Sequence, residues 1–300
     1  MRTHRGQPLN SQGTWTELSG CPRLTRIKTY AGFVKLEHTV FSLPLIFAGA
    51  VLHQHRWPAW RLFFFILLAA GAGRVMAMGL NRLIDQEIDS RNPRTAGREL
   101  PRGAMGRGEA WRIVRVAGVA YLTAAAALGP VCVRWSWLPV VLFVVYPCLK
   151  RFTPLAHLGL GLAWSMAPVG GWLAASQELS AFHEVVWLWL FSVLWVAGFD
   201  VIYATMDEAF DRQAGLHSLP AWLGKTRALR VAAGLHAAAF VALLILWRTQ
   251  LGAPSGLVWL AAIAGVFIWQ HAIAAHRPEF AFLQLNGLLG FLVLGLVSGI

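Results

Sequence analysis

The sequence predicts an all-α integral membrane protein, with about nine transmembrane helices around a central cavity and two aspartate-rich linkers on the cytoplasmic side. Three observations predict it. Of the 300 residues, 57% are hydrophobic and only 13% are charged, and the mean hydropathy is +0.54. Soluble domains carry about 25% charged residues, and half that charge cannot wet a globule of 33 kDa. The apolar residues fall in long continuous runs rather than in period-two alternation, which argues against an outer-membrane barrel. The basic residues are shared unequally between the connecting segments. The same composition excludes a disordered chain, a coiled coil and a secreted disulfide scaffold.

Taken in chain order, residues 1–30 are polar, with Arg2, Arg5, Arg23, Arg26 and Lys28 and no apolar core of a signal peptide. They are expected to form a cytoplasmic tail that ends in an interfacial helix before Lys35. A span needs roughly 20 apolar residues. Candidates lie at about 36–52, 60–80, 115–133, 135–149, 155–175, 184–202, 228–247, 255–274 and 280–299. The fourth is short, and Pro139 and Pro147 are expected to kink or end it. Two linkers, 81–114 and 203–227, are too polar for lipid, and they alone gather acidic residues. The tail with Lys35, the two linkers with their flanking Arg115 and Arg230, and Lys150, Arg151 and Arg277 hold 21 basic residues; the opposite side has Arg56, Arg61, Arg134 and Arg248, and Arg74 lies within a span. By the positive-inside rule the N-terminus and both linkers are cytoplasmic, and nine spans put the C-terminus outside. The membrane expected is the cytoplasmic (inner) one. The net charge of +12 then reads as topology and attraction to anionic membrane lipid, not as nucleic-acid binding. Cys21, Cys132 and Cys148 lack the paired spacing of a zinc or redox site.

The linkers carry the chemistry. If the second span continues as a helix, Asn81, Asp85 and Asp89 share one face at i, i+4 and i+8. Such a column of oxygens repels itself unless a cation sits on it, and magnesium prefers oxygen ligands and bridges carboxylates to phosphates. Asp200, Tyr203, Asp207 and Asp211 repeat the pattern at spacings of three and four. Arginines and a lysine accompany both ladders: Arg91, Arg94, Arg98 and Arg102 after the first, Lys150 and Arg151 after the fourth span, Arg212 and Lys225 near the second. Carboxylates with metal on one side and guanidiniums on the other make a receptor for a polyanion such as diphosphate. The apolar spans would hold a hydrocarbon attached to that head. A single acidic pair on a helix end is usually a solvated face; two ladders, each with arginines and each at a span end, are not.

The run Asn81-x3-Asp85-x3-Asp89, with Asn92-Pro93-Arg94-Thr95-x2-Arg98-x-Leu100-Pro101-x-Gly103, resembles the first signature of the UbiA superfamily of intramembrane aromatic prenyltransferases. Tyr203-Ala-Thr-Met-Asp207-x2-Phe210-Asp211-Arg212-x2-Gly215-Leu216-His217-Ser218-x-Pro220 resembles its second, and Tyr146-Pro147-x2-Lys150-Arg151 adds to the likeness. The resemblance covers about residues 30–300, and both signatures look most like the 4-hydroxybenzoate polyprenyltransferase branch of ubiquinone and menaquinone synthesis. It implies a single prenyltransferase domain over 31–300. It implies a polyprenyl diphosphate as donor, an aromatic acid as acceptor and Mg2+ as cofactor. By position, Asp85, Asp89, Asp207 and Asp211 would hold the metal, directly or through water, with Asn81 assisting. Arg94, Arg98, Lys150, Arg151 and Tyr203 would face the substrate, and Asp200 would orient or deprotonate the acceptor.

Further candidates stand outside the signatures. Arg74, inside the second span, is expected to face a cavity and read the acceptor's carboxylate or the diphosphate. Glu37 and His38 could line the same mouth or lie at the interface. Asn286 could touch the acceptor, although an interhelical hydrogen bond is the simpler reading. His217 and Ser218 read as loop-shaping residues. Gly159, Gly161, Gly170, Gly171, Gly295 and Gly299 read as packing glycines. Two rival classes fit less well. A CDP-alcohol phosphotransferase wants its aspartates in one continuous stretch, and a secondary transporter places ionisable groups near the midplane.

Overall fold

The computed structural model describes residues 22–35 and 39–299, and within them every regular element is helical. Glu37 and His38 lie outside the described residues, so nothing further is said of them. Helix α1 (Pro22–Val34) is followed by α2 (Thr39–Gln54), α3 (Trp60–Arg91), α4 (Arg107–Leu128), α5 (Pro130–Trp135), α6 (Trp137–Leu149) and α7 (Ala156–Ser176). The chain continues through α8 (Val186–Ala204), α9 (Glu208–Gln213), α10 (Leu219–Leu223), α11 (Lys225–Leu246), α12 (Gly256–Ile273) and α13 (Pro278–Ser298).

Among the described residues, 8 helices are long and apolar enough to cross a membrane, counting α5 with α6 as one span over Pro130–Leu149. The ninth expected span is α2, which has 16 residues. At 1.5 Å per residue it is about 24 Å long, short of a hydrocarbon core of about 30 Å. The boundary between the third and fourth spans is corrected. Gly129 adopts φ +138° and ends α4 at Leu128, so the fourth span starts at Pro130. A side chain at Gly129 would meet Gln177 Oε1 at 2.2 Å. Pro139 does not break α6 because it lies in the first turn, where N–H groups have no helical partner.

The longest helix positions the site. α3 has 32 residues, about 48 Å, and so outruns the bilayer by several turns. The first ladder rides on this extension, as its spacing requires. The helix stops at Asn92, which is extended (φ −87°, ψ 117°) because Pro93 disfavours helical backbone in the residue before it. The following loop is pinned by Leu100 and Met105, which are buried with Phe33, Leu80, Leu83 and Val114 between α1, α3 and α4. The second ladder differs from expectation. α8 ends at Ala204, a 3-10 turn covers Thr205–Asp207, and α9 starts afresh at Glu208, so Asp200 and Asp211 do not share one continuous helix face.

The main core joins α2, α7, α8, α11, α12 and α13 around Leu45, Trp172, Phe191, Trp195, Leu243 and Leu289. α2 and α7 cross so closely that a Cβ on Gly171 would lie 1.8 Å from the Ile46 carbonyl oxygen, and one on Gly49 1.9 Å from that of Pro168. Small residues at such crossings let backbones touch. Gly159, Gly161 and Gly295 make close contacts too; Gly170 and Gly299 have no atom within 4 Å of a built Cβ and are not packing glycines.

Candidate functional site

The two linkers meet at one end of the bundle. From α3, Asp85 and Asp89 point inward and are 3% and 5% exposed. Asp85 Oδ2 accepts from Lys150 Nζ at 2.6 Å and from Asn81 Nδ2 at 3.3 Å. Its Oδ1, 3.7 Å from Arg151, is buried and accepts no hydrogen bond. Asp89 takes both of its bonds from Arg98 Nη1, at 2.8 and 2.7 Å. The loop is held beneath by Thr95, whose hydroxyl donates to the Asp89 carbonyl at 3.0 Å.

The second signature is stitched to the first through Asp207. Asn92 Nδ2 and Arg94 Nε each donate to its Oδ1 at 2.8 Å, and Arg94 Nη2 bonds Oδ2. Arg94 Nη1 also donates to the Tyr203 hydroxyl at 2.7 Å. Burial alone disfavours the Arg94 cation, but the bonds to Asp207 and Tyr203 outweigh it and hold its pKa above the ordinary arginine value. Arg94 is therefore charged at every physiological pH. Asp211 is partly buried on α9, and its carbonyl accepts from Leu216 N at 2.8 Å, closing the loop to α10. His217 N donates to the Lys150 carbonyl at 2.7 Å, and Ser218 caps α10 by accepting from Ala221 N.

Asp200 faces a different partner. His157 Nδ1 lies 2.6 Å from Asp200 Oδ2, and His157 Nε2 accepts from Leu219 N at 3.2 Å. Since Nε2 accepts, the ring proton sits on Nδ1 and is given to Asp200. His157 is thus a buried brace between α7, α8 and the loop that carries the second signature. A lone histidine on an apolar helix offered no sequence signal for this. Asn92 was legible, being part of the first signature. Arg82 was missed as well: it is 3% exposed, and its Nε and Nη1 lack hydrogen-bond partners.

Beneath the charged end lies a cavity of about 390 Å³, with α3, α4, α6 and α7 among its walls. Arg74 enters it with its guanidinium carbon 4.7 Å from the centre of the Trp164 ring, and its buried Nε has no partner. Tyr146 lines the same cavity as Arg74, and Arg74, Asp85 and Asp200 all lie close enough to act on its hydroxyl electrostatically. Asn286 is not part of it. It is fully buried among α8, α12 and α13, where Oδ1 accepts from Trp195 Nε1 at 2.9 Å and Gln270 Nε2 at 3.1 Å, and Nδ2 donates to the Phe282 carbonyl at 2.7 Å. Its placement at the acceptor is corrected to an interhelical hydrogen bond; a buried amide in an apolar bundle satisfies itself locally.

Among the described residues no three Asp, Glu, His or Cys side chains converge on one point. Each of Asp85, Asp89 and Asp207 meets a basic partner instead. The donor set is nevertheless all oxygen, as a hard divalent cation requires, and Asp85 Oδ1 accepts no hydrogen bond.

A basic-and-acidic mouth above an apolar chamber in a helical bundle fits the architecture of an intramembrane enzyme. Residues 42–286 match the UbiA prenyltransferase family, and the chain belongs to it. It is an integral-membrane prenyltransferase. The 4-hydroxybenzoate octaprenyltransferase of Vibrio campbellii is 26% identical over 281 residues, covering 91% of this chain and 97% of the relative. That of Vibrio atlanticus is 27% identical over 261 residues, covering 85% and 90%. The apo structure of a UbiA homolog from Aeropyrum pernix K1 superposes with a TM-score of 0.80 at 35% identity, covering 86% of this chain and 95% of that one. A UbiA homolog from Archaeoglobus fulgidus bound to GPP and Mg2+ shares the fold, with a TM-score of 0.68 at 18% identity and coverage of 91% and 100%.

Proposed function

We propose that this enzyme transfers a polyprenyl group from a polyprenyl diphosphate to 4-hydroxybenzoate, as a step of quinone biosynthesis. The observation that carries the reading is the position of Arg74. It stands in an apolar cavity on the same helix as Asp85 and Asp89, seven residues before Asn81, or about 10 Å along the axis. An acid ring lying against Trp164 would give its carboxylate to Arg74 and its other edge to the charged mouth. The names of the Vibrio relatives support this acceptor, and the ligands of the archaeal homolog support a prenyl diphosphate donor with a divalent metal.

In this reading the donor's allylic C–O bond breaks, its electron pair leaves with the diphosphate, and the allylic cation forms a C–C bond with the ring, which then loses a proton. Arg94, Arg98, Lys150 and Arg151 are the groups within reach of the departing diphosphate, where negative charge grows. Magnesium, held by Asp85, Asp89, Asp207 and Asp211, would supply further positive charge at those oxygens. To bind the anion the basic groups exchange a carboxylate for a phosphate, so the ion pairs of this structure preorganise them. Asn81 orients Asp85, Tyr203 orients Arg94, and Asp200, braced by His157, orients the acceptor. The 21-to-4 bias of basic residues supports a cytoplasmic N-terminus and mouth in the inner membrane, with the C-terminus outside. Purified enzyme would be incubated with magnesium, a series of prenyl diphosphates and a panel of aromatic acids including naphthoate and homogentisate, with products read by mass spectrometry. Prenylated 4-hydroxybenzoate as main product supports the reading; transfer only to another acceptor refutes it.

A further inference from the structure

We infer that the groove between α1, α3 and α4 is a binding site for one anionic phospholipid, separate from the catalytic cavity. The groove has a volume of about 880 Å³. Its floor is made hollow by small residues: Gly71 on α3, where a built Cβ would have no atom within 4 Å, and Ala117 on α4. Phe64 and Val116, 47% and 70% exposed, form its apolar sides. α3 and α4 run antiparallel, with Met76 beside Gly118 and Arg61 beside Ala127, so the lining stretches Phe64 to Val75 and Glu109 to Ala120 follow one another along the groove and together extend about 30 Å. A groove of that length has room for an acyl chain and exceeds what a soluble anion needs.

One end is built for a negatively charged head. Arg26 of α1 and Arg112 of α4 both line it, and neither forms an ion pair with a described acidic residue. Among the described lining residues the one carboxylate, Glu109, is held by the Tyr30 hydroxyl at 2.5 Å, which anchors α1 across the groove mouth. Two guanidiniums against one carboxylate leave a net positive charge at interface depth. That is the complement of a phosphate diester above its own acyl chain, and not of a zwitterionic head.

Native mass spectrometry of the full-length protein, delipidated and then given equal amounts of dioleoyl phosphatidylglycerol and dioleoyl phosphatidylcholine, tests this. One net charge at a membrane surface corresponds to about a fivefold preference for the anionic lipid. R26Q/R112Q should bring the ratio near one, as should R112Q alone in part. G71L, which fills the floor, should reduce retention of both lipids. Equal retention of the two lipids by the wild type would overturn the inference. Displacement of phosphatidylglycerol by millimolar inorganic phosphate would overturn it too, since the site would then take a soluble anion.

Discussion

Asp85→Asn, Lys150→Met and their combination separate what the Asp85–Lys150 pair does for the fold from what it does for transfer. The pair is 2.6 Å apart, with side-chain exposures of 5% for Asp85 and 28% for Lys150. Breaking a fully buried pair costs about 3–5 kcal/mol, and an exposed pair is worth at most about 1 kcal/mol. Intermediate burial places each single substitution at about 2 kcal/mol, because it leaves one charge facing a neutral group. Relief of repulsion between Asp85 and Asp89, which the sequence suggests as the main effect of removing a carboxylate, is outweighed, since each carboxylate already has its own cation. The double variant strands neither partner, so its stability should recover by about 1–2 kcal/mol relative to the sum of the singles. Transfer should behave oppositely. Each single should lose about 10²–10³ in turnover, the effect of one lost preorganised contact, and the double should not recover. Thermal unfolding in detergent, read by loss of the monodisperse chromatographic peak, gives the first quantity; radiolabelled prenyl transfer gives the second. A double variant that regains transfer with stability would show the pair to be structural only. An Asp85→Asn protein as stable as wild type would show the ion pair to be energetically idle.

Three further outcomes are expected. Asp207→Asn should nearly abolish transfer, and adding Asp85→Asn should cost little more, because groups that act as a unit are non-additive; chelation should silence the wild type and magnesium restore it, and near-normal transfer by either single variant refutes a shared site. Arg74→Ala should raise the KM for the aromatic acid by about tenfold or more while leaving that for the donor little changed, since a charge-assisted bond contributes about 1.5–3 kcal/mol; unchanged kinetics make Arg74 a structural cation on Trp164. His157→Asn, which can keep the bond to Asp200, should retain more activity than His157→Leu at equal protein yield; equal loss in both would end the assignment of His157 as a brace for Asp200.

Much of this protein was determined by sequence alone. Apolar run length dictates crossing helices because no irregular backbone is tolerated in lipid. The four-residue spacing of Asn81, Asp85 and Asp89 dictates a shared face because a helix turns every 3.6 residues, and Pro93 dictates where that helix ends. These are local rules, and they hold wherever the segment lies. Partner choice is not local. Asp85 meets Lys150 across 65 residues and Asp207 meets Arg94 across 113, so only the packing of α3, α6 and α8 could select which cation neutralises which carboxylate. The second ladder breaks at Thr205, and the packing of α8 on α7 gives Asp200 to His157, although the spacing alone reads as one face. Asn286 is drawn to Trp195 and Gln270 because a buried amide takes the nearest partner its neighbouring helices supply, and those neighbours exist only in the folded bundle.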